Sequence, residues 1–168
     1  MAFNPLQLVL KYIRFYAVAK SRKGHGIHSP FVFDFAQQVL CDKRFFYAYE
    51  AMEKMRSRLM HDNSFLPVED YGAGSGGKKI TGRTVAQLAN KAAKSPALAQ
   101  LLFRIVNHYQ PDHLLELGTS LGISTGYMAM ARPSARVVTI EGAAAIADKA
   151  RQNFSDLGIT NIEQHTGS

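Results

Sequence analysis

Paired cysteines are missing from this sequence. Cys41 is the single cysteine among 168 residues, so neither an intramolecular disulfide nor a zinc site built on paired cysteines can form. A long apolar run is missing too. Lys11 and Arg14 interrupt MAFNPLQLVLKYIRFYAVAK well short of the ~20 residues that span a bilayer, and no basic n-region precedes a clean apolar core. These two absences predict a soluble, unexported protein of the reducing cytoplasm. Internal repeats and low-complexity segments are absent, and with 46% hydrophobic and 20% charged residues the chain is no disordered tail. Acidic residues are in short supply: 13 Asp and Glu stand against 20 Lys and Arg, a formal net charge of +7. Such an excess suits nucleic acid, a membrane surface or an acidic substrate. It lies in the N-terminal part, where Met1 to Met60 holds ten basic against four acidic residues, while Asp112 to the end holds four against six.

What is present divides the chain in two. Asn4 and Pro5 punctuate the start of a first helix that is apolar on most sides through Ala19. After the basic loop KSRKGHGIH, Ser29-Pro30 starts a second helix, FVFDFAQQVL, with Phe31, Phe35 and Val39 at four-residue steps. A third is predicted over Arg44 to Met60, with a core stripe of Phe45, Tyr49, Met52, Met55 and Leu59. His61 to Arg83 reads as loop. A short helix with Val85, Leu88, Ala89 and Ala92 follows, then one from Ser95-Pro96 carrying Leu98, Leu101, Leu102, Ile105, Val106 and Tyr109 on one face, ended by Pro111. From there the period changes. HLLELG, ARVVTIEG and TNIEQHTG read as strands, with the helices STGYMAMA and AAAIADKARQNFSDL between them and Gly158 stopping the second. Alternation of this kind is the pattern of parallel βαβ units. The expected organisation is a helical region over 1–110 with a glycine-rich loop at 70–77, then an α/β region over 111–168.

Two glycine loops compete for a ligand. VEDYGAGSGGKK reproduces the G-x-x-x-x-G-K spacing of a P-loop from Gly72 to Lys78. Its flanks do not fit: PVEDY is a poor buried parallel strand, and Lys79 stands where magnesium needs a hydroxyl. HLLELGTSLGISTGYMA has an apolar strand on one side and a helix on the other. Glu116 and Gly118 lie at the strand's carboxyl end, and Gly122 lets the helix start close to the sheet. Ligands of open α/β sheets bind at that edge, where the helix offers free N–H groups to an anion. About twenty residues on, VVTI ends in Glu141, placed to accept hydrogen bonds from a ribose diol. A dinucleotide fingerprint wants glycine where Ser120 stands, which weakens an NAD reading without removing it.

Glu116-Leu117-Gly118-Thr119-Ser120-Leu121-Gly122-Ile123-Ser124 resembles the first motif of class I S-adenosylmethionine-dependent methyltransferases, in the E-x-G-T-x-x-G-x-S form of the catechol and caffeoyl-CoA type O-methyltransferases. The wider run, GHGIHSPFVFDF, DYGAGS, LLFRIV, ELGTSLGIST and TIEG, is similar to a group of bacterial methyltransferase-like proteins. The resemblance implies a Rossmann-like methyltransferase sheet, of which this chain holds the first half: three parallel strands in the order 3-2-1. It implies methyl transfer, O-methylation foremost, to a small-molecule acceptor, with S-adenosylmethionine as cofactor and no metal ligand in this stretch. Glu116 and Gly118 would border the methionine part and Ser124 would hydrogen-bond its carboxylate. Thr119, Ser120 and Gly122 would complete the loop, Glu141 would hold the ribose, and Gly167 and Ser168 would lie near the adenine. No general base is implied before Ser168, and Cys41 alone cannot hold the iron–sulfur cluster of radical chemistry on this cofactor. The family domain continues through four more strands. A chain stopping at Ser168 leaves the apolar HLLELG, central in that fold, unpaired on one side. That predicts a truncated product, inactive alone or covered by self-association, a swapped element or a missing C-terminal half.

Two other classes stay open on the residues. A nucleic-acid-binding module would use Lys11, Arg14, Lys20, Arg22, Lys23, Lys78 and Lys79 on phosphates, with steep salt dependence; an NAD-binding enzyme would use the second glycine loop. His25 and His28 carry either acid–base work or ordinary loop packing; no HxxxH spacing or cysteine partner supports a metal. The first glycine loop, Asp70 with Gly72 to Ser75, is expected to fold near the cofactor or acceptor rather than to bind phosphate.

Overall fold

The computed structural model describes residues 9–14, 28–70 and 79–167. The Asn4-Pro5 start, His25, Lys20, Arg22, Lys23, Gly72 to Lys78 and Ser168 lie outside the described residues. Two compact units divide the chain, Met1–Arg44 and Phe45–Ser168. In the first, residues 9–14 are helical and exposed, Lys11 and Arg14 among them. Helix α1, Pro30–Phe35, starts as its punctuation predicts, with the Ser29 hydroxyl accepting from the Val32 N–H at 3.4 Å and Pro30 in the first turn. It widens into a π-helical turn over Ala36–Leu40.

The second unit opens with α2, Tyr47–Met60. The expected start at Arg44 is too early: Phe46 is extended (φ −103°, ψ 149°) and forms the N-cap. Phe45 is therefore 75% exposed, whereas Tyr49, Met52, Met55 and Leu59 are buried as the stripe predicts. The span read as loop holds an antiparallel hairpin instead. Strands β1, Phe65–Asp70, and β2, Lys79–Thr84, pair from Phe65 opposite Thr84 to Asp70 opposite Lys79. Pro67, two acids and Gly82 lower strand propensity here, but a two-stranded ribbon has free edges on which such residues are tolerated. Thr84 ends the hairpin and caps α3, Val85–Ala92, in a capping box: its hydroxyl accepts from Gln87 N–H at 3.2 Å while Gln87 Oε1 accepts from Thr84 N–H at 3.1 Å. Helix α4, Pro96–Tyr109, closes on Gln110 in the left-handed region (φ 50°).

A parallel sheet follows. Strands β3, His113–Leu117, β4, Arg136–Glu141, and β5, Ile162–Thr166, lie in the order β3-β4-β5, the predicted 3-2-1 arrangement. Helix α5, Ile123–Ala131, joins β3 to β4, and α6, Ala144–Asp156, joins β4 to β5. Both cover the face that carries Glu116, Thr139 and Gln164: Thr125 of α5 bonds Glu116, and the Gln164 amide donates to Ala147 O of α6 at 2.8 Å. On the opposite face Leu115 and Leu117 are 67% and 77% exposed.

The helices and the sheet share one core. Tyr49, Met52, Phe103 and Tyr127 pack together, with the Tyr49 ring 5.3 Å from Phe103 and 5.8 Å from Tyr127, centre to centre. The Tyr127 hydroxyl donates to Glu53 Oε1 at 2.7 Å; burial first, then this carboxylate, hold its pKa well above the tyrosine value. Arg56 pairs with Glu53 at 3.0 Å and donates to Lys94 O, tying α2 to the turn before α4. The core thus runs across residue 110, where chain order changes from helices to alternating strands.

Candidate functional site

The carboxyl ends of β3 and β4 carry the site. Parallel register puts Glu116 opposite Thr139 and Leu117 opposite Ile140. Because side chains alternate along a strand, Glu116, Thr139 and Glu141 share the helix-covered face. Glu116 is anchored by three hydroxyls. Ser124 Oγ donates to Oε1 at 2.6 Å, Thr139 Oγ1 donates to Oε2 at 2.9 Å, and Thr125 Oγ1 donates to Oε2 as well. Thr139 spends its proton on the carboxylate, so the 2.7 Å contact between Thr119 and Thr139 runs with Thr119 as donor. Thr119, Thr125 and Thr139 are all buried. The result is a fixed chain, Thr119 to Thr139 to Glu116, closed from the helix side by Ser124 and Thr125.

The loop after β3 is pinned by its own backbone. Gly118 and Thr119 N–H both donate to Ile140 O, at 2.9 and 3.2 Å, and Gly122 N–H donates to Thr119 O at 2.9 Å. Ser120 takes φ 49° and donates its N–H to Glu141 Oε2 at 2.8 Å; Glu141 Oε1 accepts from Ala143 N–H at 3.1 Å. Glu141 thus links the two βα turns. Gly122 (φ +81°) begins α5, and a β-carbon there would sit 2.4 Å from the Phe154 ring. With Gly122 as N-cap, no side chain caps α5, so its first-turn N–H groups are available to an anion. Gly118 (φ +94°) is different: a β-carbon would meet nothing within 4 Å. The backbone at Gly118 faces open space between Glu116 and Glu141. Gly167 (φ +145°) follows β5 and donates to Glu141 O at 3.0 Å, which brings the third strand's end to the same edge.

The residues picked from sequence therefore converge. Glu116, Gly118, Thr119, Ser120, Gly122, Ser124, Glu141 and Gly167 are joined by these hydrogen bonds at one edge of the sheet, with Ser168 outside the described residues. Ser124 points its hydroxyl proton at Glu116. Thr125 and Thr139 hold Glu116 from the buried side and were not singled out. A threonine inside the apolar run VVTIE, two residues before Glu141, was the available signal. His28, in the first unit, is exposed.

No protein-family model matches the chain, and no curated protein matches it. Solved structures do. The SAH-bound methyltransferase PaMTH1 of Podospora anserina aligns with 100% of this chain and 52% of its own, at 14% identity and a TM-score of 0.50. The O-methyltransferase TomG of Streptomyces achromogenes, involved in tomaymycin synthesis and solved with SAM, is 33% identical over 45% of this chain and 35% of its own, at a TM-score of 0.44. An O-methyltransferase from Bacillus cereus in complex with SAH is 22% identical over 82% of this chain and 50% of its own, at a TM-score of 0.49. The chain spans about half the length of these proteins or less. The likeness to PaMTH1 shows a shared fold, here built on a parallel Rossmann-like sheet. Among the described residues no helix is long and apolar enough to cross a membrane.

Proposed function

We propose that this chain binds S-adenosylmethionine over Gly118 and serves methyl transfer to an oxygen of a small-molecule acceptor in the cytoplasm. The observation that carries the reading is the open backbone at Gly118, flanked at one sheet edge by the anchored Glu116 and by Glu141. The fold shared with an SAH-bound methyltransferase supports the choice of ligand. Glu116 accepts three of the roughly four hydrogen bonds a carboxylate can take, leaving a site for the cofactor's ammonium. Ser124 would meet the methionine carboxylate through its backbone N–H, since its hydroxyl proton is given to Glu116. Glu141 would receive the ribose hydroxyls on the lone pairs left by Ser120 and Ala143. Gly167 would lie near the adenine. When bound, the cofactor supplies an electrophilic methyl group on a sulfonium. This chain's residues hold and orient it, because alignment of donor and acceptor is the enzyme's main contribution to such a displacement.

Calorimetric titration with S-adenosylhomocysteine (SAH), with NADH and ATP as controls, tests the reading. Saturable heat with SAH and none with the controls is expected. A folded protein that gives no heat with SAH, or binds NADH more tightly, would overturn it.

A further inference from the structure

Helix α6 lies behind the glycine loop and presents Lys149, Asn153 and Asp156 at steps of four and three residues, one stripe of a helix. Each is engaged. Lys149 Nζ pairs with Asp62 at 2.8 Å, and Asp156 pairs with Arg58 Nη2 at 3.0 Å. Between them Asn153, 1% exposed, donates its side-chain N–H to Leu121 O at 3.0 Å. Its other amide atom, Oδ1, accepts from Arg58 Nη2 at 3.5 Å. The Leu121 carbonyl only accepts and Arg58 only donates, so both contacts agree on the amide orientation that directs Nδ2 at the loop. The consequence falls on the peptide unit between Leu121 and Gly122. Its C=O is held by Asn153 and its N–H by Thr119 O at 2.9 Å. With both ends held, the plane of that peptide is set, and with it the φ of +81° at Gly122 from which α5 departs. The Phe154 ring, from the neighbouring residue of α6, closes the same glycine from the side.

We propose that Asn153 is a positioning residue: through the Leu121 carbonyl it sets the start of α5, and so the direction of the first-turn N–H groups and of Ser124. Asn153 is buried away from the open space at Gly118, and the proposal rests on the reading above only in taking SAH as the loop's ligand. Arg58 and Asp156 relay the placement of α2 to the same amide.

The test measures SAH affinity and hydrogen exchange of the Gly122 amide in the full chain and in two variants. Asn153→Ala removes the donor, and Asn153→Asp keeps the size but sets an acceptor against the Leu121 carbonyl. A buried carbonyl left without its donor disfavours the bound arrangement, so both variants should bind SAH about tenfold more weakly or worse at temperatures where they are fully folded. The Gly122 amide should exchange about tenfold faster or more. Arg58→Met, which leaves the Asn153 donor in place, should lower the melting temperature with a smaller change in affinity. A lowered melting temperature with unchanged SAH affinity and unchanged Gly122 exchange overturns the proposal and leaves Asn153 a packing residue. If neither variant folds, the wild-type chain decides: the Asn153 side-chain amide protons should be protected from exchange, and solvent-like exchange overturns the proposal. If the wild-type chain binds no SAH, the functional reading fails, while the Gly122 exchange rates in the variants still decide the role of Asn153.

Discussion

Gly118 and Gly122 both take positive φ in one loop, yet they answer to different demands. At Gly122 a methyl group would press on Phe154 as well as strain the backbone, so Gly122→Ala should cost about 2 kcal/mol or more, read from urea unfolding. At Gly118 the space is open, so Gly118→Ala carries only the backbone term of about 1–2 kcal/mol. Its methyl group enters the proposed cofactor recess, and SAH titration should show about a tenfold loss or more that stability does not explain. Thr139 is the other informative side chain. It gives Glu116 a donor and Thr119 an acceptor, so Thr139→Val strands the buried Thr119 hydroxyl, takes one donor from Glu116 and should cost about 1–3 kcal/mol. Thr139→Ser should recover most of that. Of these residues the glycines and Glu116 were legible from spacing alone. Thr139 and Asn153 were not, because a buried hydroxyl or amide is defined by the partner the fold brings to it.

Helix α6 is joined to the turn after α2 by the Lys149–Asp62 bridge, in which both side chains are about four-fifths buried. Hydrogen bonds from Lys149 first, then Ser64, lower the Asp62 pKa to about 2. The unfolded chain titrates near the ordinary value of about 3.9. The stabilisation is therefore full above about pH 4 and is lost as pH falls toward 2. Asp62→Asn should cost about 1–2 kcal/mol at pH 7 and almost nothing near pH 2, a difference that urea unfolding at the two pH values would read. Elements were read with uneven success, for physical reasons. Caps at Ser29 and Ser95 act within three residues, and both stand where the sequence put them. Helix α4 was read with Leu98, Leu101, Leu102, Ile105, Val106 and Tyr109 on one face, and the structure corrects this because its apolar arc is wider than the face that packs. Packing against α5 buries Ala99, Phe103 and Val106 and leaves Leu98 more than half exposed. The hairpin β1–β2 was read as loop because each strand, taken alone, has poor propensity and gains its pairing only from the other.

Across the whole molecule, the sheet is apolar where it is least covered. Among the described residues β3 pairs with β4 alone, and Leu115 and Leu117 stand exposed beside its open edge. A free, apolar edge is a template for further pairing, so the 168-residue chain should associate in a concentration-dependent way in sedimentation. Leu115→Lys with Leu117→Lys should abolish that while shifting unfolding free energy by no more than about 0.5 kcal/mol, as for exposed positions generally. By itself the sequence determined the alternation of parallel strands and helices, the choice of ELGTSLG over VEDYGAGSGGKK as the strand-to-helix turn, and Glu116 and Glu141 at one edge, while the strand order came with the family resemblance. Periodicity, caps and glycine spacing are local, and a βαβ unit has essentially one handed way to close. Tertiary structure alone decided that Ser124 spends its proton on Glu116, that Thr139 fixes the direction of a hydroxyl chain, and that Asn153 holds the Leu121 carbonyl from 32 residues away. Such bonds depend on which buried donor meets which acceptor, and only the packed core sets those distances.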